Sequence, residues 1–214
     1  MIIAPSVLSL DYSNTKEQID ELNASGAQWM HFDVMDGHFV PNLTFGPDIL
    51  KAFCKISDLV KDVHLMVTDP SFFADVFMNA GADIITVHYE ALADEAAIRS
   101  VAEKIHARGK KAGLSIKPKT DPSVLKPFLN DFDLFLIMSV EPGFGGQSFI
   151  PESADKIAAL KKMLADAGSQ ALIEVDGGIN GKTGKICREA GADVLVAGSY
   201  VFKNNIKEAV ESLC

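Results

Sequence analysis

Three segments of this chain are variants of one pattern: "ASGAQWMHFDV" around Gly26, "NAGADIITVHY" around Gly81 and "EAGADVLVAGS" around Gly191. Each reads as the polar end of a helix, a glycine where the helix must stop, and an apolar run suited to a strand. The glycines lie 55 and 110 residues apart. That one-to-two ratio predicts two strand–helix units of about 27 residues in each shorter interval, and about eight units in 214 residues.

Strand-like runs fall where this period puts them: near 2–8, 29–35, 60–67, 83–89, 111–117, 134–140, 171–176 and 193–199. Between them lie amphipathic patterns such as "SADKIAALKKMLADAG", in which Ile157, Leu160 and Leu164 form one apolar stripe. Alternating strands and helices imply a parallel sheet with right-handed crossovers. Eight units favour an α/β fold of the closed (β/α)8 TIM-barrel type, with an open doubly wound sheet as the alternative. No composition shift or linker divides the chain, so one domain over residues 1–214 is expected.

The formal charge of -9 argues against nucleic acid or an anionic membrane as a partner. Small anions stay possible, because metals and backbone amides bind them locally. Cys54, Cys187 and Cys214 are odd in number and lack ligand-like spacing, which suits a reducing cytoplasm better than a disulfide framework. The opening "MIIAPSVLS" has no basic segment or long apolar run, and no stretch is apolar enough to span a membrane. Neither export nor insertion is expected.

Polar residues on the expected strands break the apolar pattern. In "HFDVMDGHFVPN" (31–42), strand parity puts His31, Asp33 and Met35 on one face. The same parity pairs Ala4 with Ser6, His64 with Met66 and Glu174 with Asp176. At the C-terminal ends of barrel strands, His31, Asp33, His64 and Asp176 would converge as a candidate site for a divalent metal. An isolated inward histidine is ordinarily a hydrogen-bonded core residue, so the case rests on the four together. Asp36 and His38 read as turn residues, and His88 and Glu90 as supports for the ligands rather than ligands. Glycine-rich loops follow strands six, seven and eight: "EPGFGGQ", "VDGGIN" and "VAGSY". Such loops let backbone amides approach a phosphate closely. No basic residue lies within Gly143–Gly146 or at Gly198 and Ser199, so amides and a hydroxyl would do the binding.

The stretches "HFDVMDGHFVPNLTFGP", "DVHLMV", "MSVEPGFGGQSFIP", "VDGGIN" and "VAGSYVF" closely resemble the ribulose-phosphate 3-epimerase family. The likeness runs from "APSVLS" to about Phe202. The resemblance implies a homo-oligomer that interconverts D-ribulose 5-phosphate and D-xylulose 5-phosphate with one divalent ion (Zn, Fe, Mn or Co). It implies His31, Asp33, His64 and Asp176 as metal ligands, with Asp33 and Asp176 also the acid–base pair. Ser6 and His64 would contact substrate, and Met35, Met66 and Met138 would line the pocket. Gly143, Phe144, Gly145, Gly146, Gly177, Gly178, Gly198 and Ser199 would surround the phosphate. One departure is "LSIKPKT", where Lys117 replaces an asparagine usual before the proline. A 3-epimerase of a related ketose phosphate such as D-allulose 6-phosphate is the nearest alternative. A metal-dependent phosphohydrolase and a non-catalytic phosphosugar-binding barrel are the others.

Overall fold

The computed structural model describes all 214 residues. Eight parallel strands form one sheet: β1 (Ile2–Pro5), β2 (Trp29–Met35), β3 (Val60–Met66), β4 (Ile84–His88), β5 (Lys111–Ile116), β6 (Leu134–Met138), β7 (Leu172–Asp176) and β8 (Val194–Ala197). Their order around the sheet, β1-β8-β7-β6-β5-β4-β3-β2, is that of a barrel rather than a doubly wound sheet. Gly26, Gly81 and Gly191 all have positive φ, at 87°, 113° and 110°. Each stands three residues before its strand, so the sequence repeat is a structural repeat of helix stop and strand start.

The helices are α1 (Thr15–Asn23), α2 (Pro47–Phe53), α3 (Pro70–Ala80), α4 (Glu95–Ala107), α5 (Ser153–Ala167), α6 (Gly181–Ala190), α7 (Ser199–Phe202) and α8 (Ile206–Glu211). On α5, Ile157, Leu160 and Leu164 are buried as the stripe predicts. The alternation breaks between β5 and β6, where Pro122–Phe128 form a 3-10 segment instead of an α-helix. Pro127 lies inside that segment and has no N–H to give to an α-helical ladder. No helix is long and apolar enough to cross a membrane.

Strand parity divides the apolar residues into two bodies. Outward side chains such as Phe32, Val63, Ile85 and Val175 pack against the helices in one continuous core. Inward ones, among them Ala4, Trp29, Leu134, Leu136, Val194 and Val196, form a separate cluster along the barrel axis. The same axis also carries His31, Asp62, His64, Thr86, Ser115 and Glu174, all of them 0% exposed. Hydrocarbon and polar side chains share the barrel interior: Glu174 on β7 stands between Leu136 on β6 and Val194 on β8.

β1 and β2 share no full ladder. Gln28 closes the seam: its backbone N–H donates to Ile3 O at 3.2 Å, and its side-chain Oε1 accepts the Ile3 N–H at 2.8 Å. A single parallel bridge between Ser6 and His31 completes the closure. Gln28→Met keeps the volume but leaves the Ile3 N–H unpaired. It should destabilise the protein by about 1 kcal/mol and lower the thermal midpoint by roughly 2–4 °C, while Gln28→Glu, which keeps the acceptor, should lose much less.

Candidate active site at the barrel mouth

β2 sets the site. His31, Asp33 and Met35 point inward, with Asp62, His64 and Met66 beside them on β3 in the register His31↔Asp62, Asp33↔His64 and Met35↔Met66. β7 delivers Asp176 at the level of Met138 on β6. Ligand atoms of His31, Asp33, His64 and Asp176 all lie within 4.8 Å of one another, so the four residues expected to converge do so.

Hydrogen bonds fix which atoms face the centre. His31 Nδ1 lies 2.6 Å from Asp62 Oδ2. A carboxylate accepts only, so Nδ1 carries a hydrogen there and Nε2 looks inward. That Nε2 finds no hydrogen-bond partner among the protein's atoms. It stands 3.4 Å from Asp33 Oδ1, and His64 Nδ1 stands 3.3 Å from the same oxygen. The other Asp33 oxygen accepts the Ser6 hydroxyl at 2.6 Å. A cluster of this kind attracts positive charge. Burial alone would push the His31 pKa down, but the Asp62 and Asp33 carboxylates reverse this and hold it well above the usual imidazole value. A proton on His31 or a divalent cation among the four residues would each satisfy these facing atoms, and imidazole with carboxylate is a donor set suited to a borderline metal.

The two aspartates are tuned in opposite directions. Burial would raise the Asp33 pKa, but His31 and His64 outweigh it and hold the carboxyl far below the usual range. Asp176 is pushed up to about 7, first by burial and then by the Asp33 carboxylate. One inward carboxyl is therefore ionised while the other takes up protons near neutrality, the pattern of an acid–base pair. Beneath them, burial and then the Asp62 charge raise Glu174 well above an ordinary carboxyl. As a neutral acid, Glu174 can donate to Asp62, whose Oδ1 otherwise lacks a partner.

A cavity of about 800 Å³ opens above this cluster, within the size range of small-ligand sites. Asp33 and Asp176 reach its floor, and Met35, Met66 and Met138 line it. Gly143, Phe144, Gly145, Gly146, Gly177, Gly178, Gly198 and Ser199 form one wall with Ser6. His31 and His64 lie below, fully buried. Phe144 is 56% exposed at the rim.

Four sequence readings need correction or addition. Ser6 is not part of β1, which ends at Pro5; its hydroxyl accepts the Leu8 N–H and turns the chain into a 3-10 turn over Val7–Ser9. Asp62 carries the hydrogen bond below the site, with a Glu174 carboxyl oxygen 3.7 Å from the same His31 Nδ1, and the same parity that joined His31 to Asp33 would have joined Asp62 to His64. Lys182 and Lys203 belong to the glycine-lined cavity wall, although neither stands in a glycine motif. Lys117 is absent from that wall; its Nζ lies over the Phe39 ring, 3.9 Å from the centroid. Asp36 is a turn residue as expected, accepting the N–H groups of His38 and Phe39 at 2.8 and 2.9 Å and that of Thr68 at 2.8 Å.

Comparison with known proteins agrees with this geometry. The profile of the ribulose-phosphate 3 epimerase family matches residues 2–202. The chain belongs to that family. It is 46% identical over 211 residues to the ribulose-phosphate 3-epimerase of Synechocystis sp., covering 98% of this chain and 91% of that one. With the ribulose-phosphate 3-epimerase of Bacillus subtilis it shares 43% identity over 213 residues, covering 99% and 97%. A solved 3-hexulose-6-phosphate synthase superposes with a TM-score of 0.67 at 19% identity, covering 100% of this chain and 98% of that one; at that identity the likeness concerns the fold alone. Family membership makes the chain a carbohydrate epimerase, and the barrel mouth is where its chemistry belongs.

The glycine wall of the epimerase is built on close backbone approach. A Cβ on Gly178 would lie 2.4 Å from Phe149 N and 2.8 Å from Phe149 Cα, at a φ of +64°. Gly146 has a similar φ of +73° but open space around it. Gly146→Ala should cost about 1–2 kcal/mol from the left-handed backbone alone. Gly178→Ala should add about 1–3 kcal/mol for overpacking, a difference readable in parallel urea titrations.

Proposed function

We propose that this chain interconverts D-ribulose 5-phosphate and D-xylulose 5-phosphate by moving a proton at C3, with a divalent metal held by His31, Asp33, His64 and Asp176. The observation that carries the reading is the convergence of two carboxyls, Asp33 from β2 and Asp176 from β7, with His31 and His64 at the floor of one cavity. When bound, the metal would supply positive charge that stabilises the enediolate oxygens.

Inverting C3 requires a base on one face of the substrate and an acid on the other. β2 and β7 are separated by β1 and β8 on one side and by four strands on the other, so their aspartates approach a planar intermediate from different directions. One carboxylate takes the C3 proton and the C3–H electron pair passes into the enediolate. The other carboxyl then returns a proton to the opposite face and is left ionised. The roles exchange in the reverse reaction. Ser6 holds Asp33 in place through its 2.6 Å hydrogen bond. Met35, Met66 and Met138 give a polarisable apolar surface that excludes water from the carbanionic intermediate.

The phosphate is assigned to the glycine wall. The first N–H groups of α7 have no carbonyl to bond within the helix, and Gly198 and Ser199 begin it. In α6 the N–H groups of Lys182 and Thr183 are already taken by Asn180 Oδ1. The ammonium groups of Lys182 and Lys203 add positive charge to the same wall.

Exhaustive chelation should abolish epimerisation and one divalent ion per chain should restore it; full turnover by protein shown to be metal-free would exclude the metal. Asp33→Asn and Asp176→Asn should each lower kcat by orders of magnitude. In deuterium oxide each variant should still exchange the C3 proton of one epimer and not the other. Epimerisation at nearly wild-type rate by either would point instead to a single mobile base.

A further inference from the structure

His88 and Glu90 line no part of the cavity, yet both are tied to it. His88 is 0% exposed, and its Nε2 lies 2.8 Å from His64 Nε2. Two ring nitrogens at that separation form a hydrogen bond only if one carries the hydrogen and the other a lone pair. Glu90 determines which. Its Oε2 lies 3.2 Å from His88 Nδ1, while its Oε1 accepts the Lys117 N–H at 2.8 Å and the Thr120 hydroxyl. An ionised carboxylate only accepts, so His88 carries its hydrogen on Nδ1. In the neutral ring, Nε2 is then the acceptor. The hydrogen between the rings therefore belongs to His64 Nε2, and His64 Nδ1, 3.3 Å from Asp33 Oδ1, is left bare.

We propose that Glu90 and His88 are positioning residues that lock His64 in its Nε2–H tautomer, so that Nδ1 is the atom it presents to the cation held with Asp33. The purpose of the lock rests on the metal reading above; the tautomer itself does not. The arrangement repeats at His64 what Asp62 does at His31: the ring nitrogen turned away from the centre is bonded, and the one facing it is free. Phe39 packs against His88 with ring centroids 4.9 Å apart, and Lys117 lies over Phe39. The half-buried Lys117 thus belongs to the enclosure of this chain of hydrogen bonds, through both its backbone N–H and its ammonium group.

Two measurements on the full chain test the lock. Long-range 1H–15N correlation spectra, recorded with and without zinc, report which imidazole nitrogen of His64 bears hydrogen. Wild type should show Nε2–H in both states, and His88→Leu a mixture without zinc. Chelator competition should show zinc binding weakened about 10–100-fold in His88→Leu. His88→Gln, whose amide oxygen can stand in for the Nε2 acceptor, should regain most of the loss. Hydrogen on His64 Nδ1 in the wild type would overturn the lock without any variant. Wild-type zinc affinity in His88→Leu, or no recovery in a folded His88→Gln, would overturn its role. Wild type that binds no zinc would overturn the metal reading instead, and the zinc-free spectrum would still decide the tautomer.

Discussion

Bare nitrogen and oxygen lone pairs, pointed at one another inside a barrel, repel unless positive charge lies between them. That constraint organises the upper half of this molecule. His31, His64 and Asp33 face a common point because each is held from behind, His31 by Asp62 at 2.6 Å and Asp33 by Ser6 at 2.6 Å. His64 is held by His88 at 2.8 Å. The supports cost the fold several buried polar groups, which it accommodates by grouping them along the barrel axis. Grouping sets the His31 imidazole beside the Asp62 and Asp33 carboxylates, and a buried charge without a partner is among the most destabilising features a core can contain.

The opposite tuning of Asp33 and Asp176 follows from where their neighbours stand. Asp33 lies between two imidazoles. Asp176 has burial and another carboxylate acting on it, and no side-chain hydrogen bond to offset them. Below it, Ser139 ties the ends of β6 and β7 together: its N–H and hydroxyl both donate to Asp176 O, at 2.7 and 2.8 Å, and the hydroxyl also reaches Gly177 O at 2.7 Å. The backbone at Asp176 and Gly177 is thus pinned to β6 by one serine.

Much of this was legible in the residues. The glycine period predicted eight units, and strand parity placed His31, Asp33, His64 and Asp176 on inward faces, because period-two alternation survives wherever a strand is buried on both sides. Connections were less legible. Helical spacing cannot show that Pro122 and Pro127 would turn one crossover into a 3-10 segment, nor that Ser6 would leave the strand to cap a turn. Supports such as Asp62 were missed for a different reason: an acidic residue in "VKDVHLMV" looks like ordinary surface charge until its register with His31 is known. Lys182 and Lys203 reach the cavity wall through the placement of α6 and α7, which no local pattern encodes.

The seam at Gln28 bears on how the chain is assembled during synthesis. β1 is made before the other seven strands, but its full ladder is with β8, where Ile2 pairs with Val194. With its immediate successor β2 it shares only a bridge and the Gln28 bonds. Strands β2 to β7 can pair with their neighbours as they emerge, each finding a partner already made or about to be made. β1 must wait until nearly the whole polypeptide has been translated, at roughly 5–20 residues per second a delay of about ten seconds or more. Throughout that interval an apolar strand has its partner edge still unmade, so the earliest of the eight strands is the one most in need of shelter.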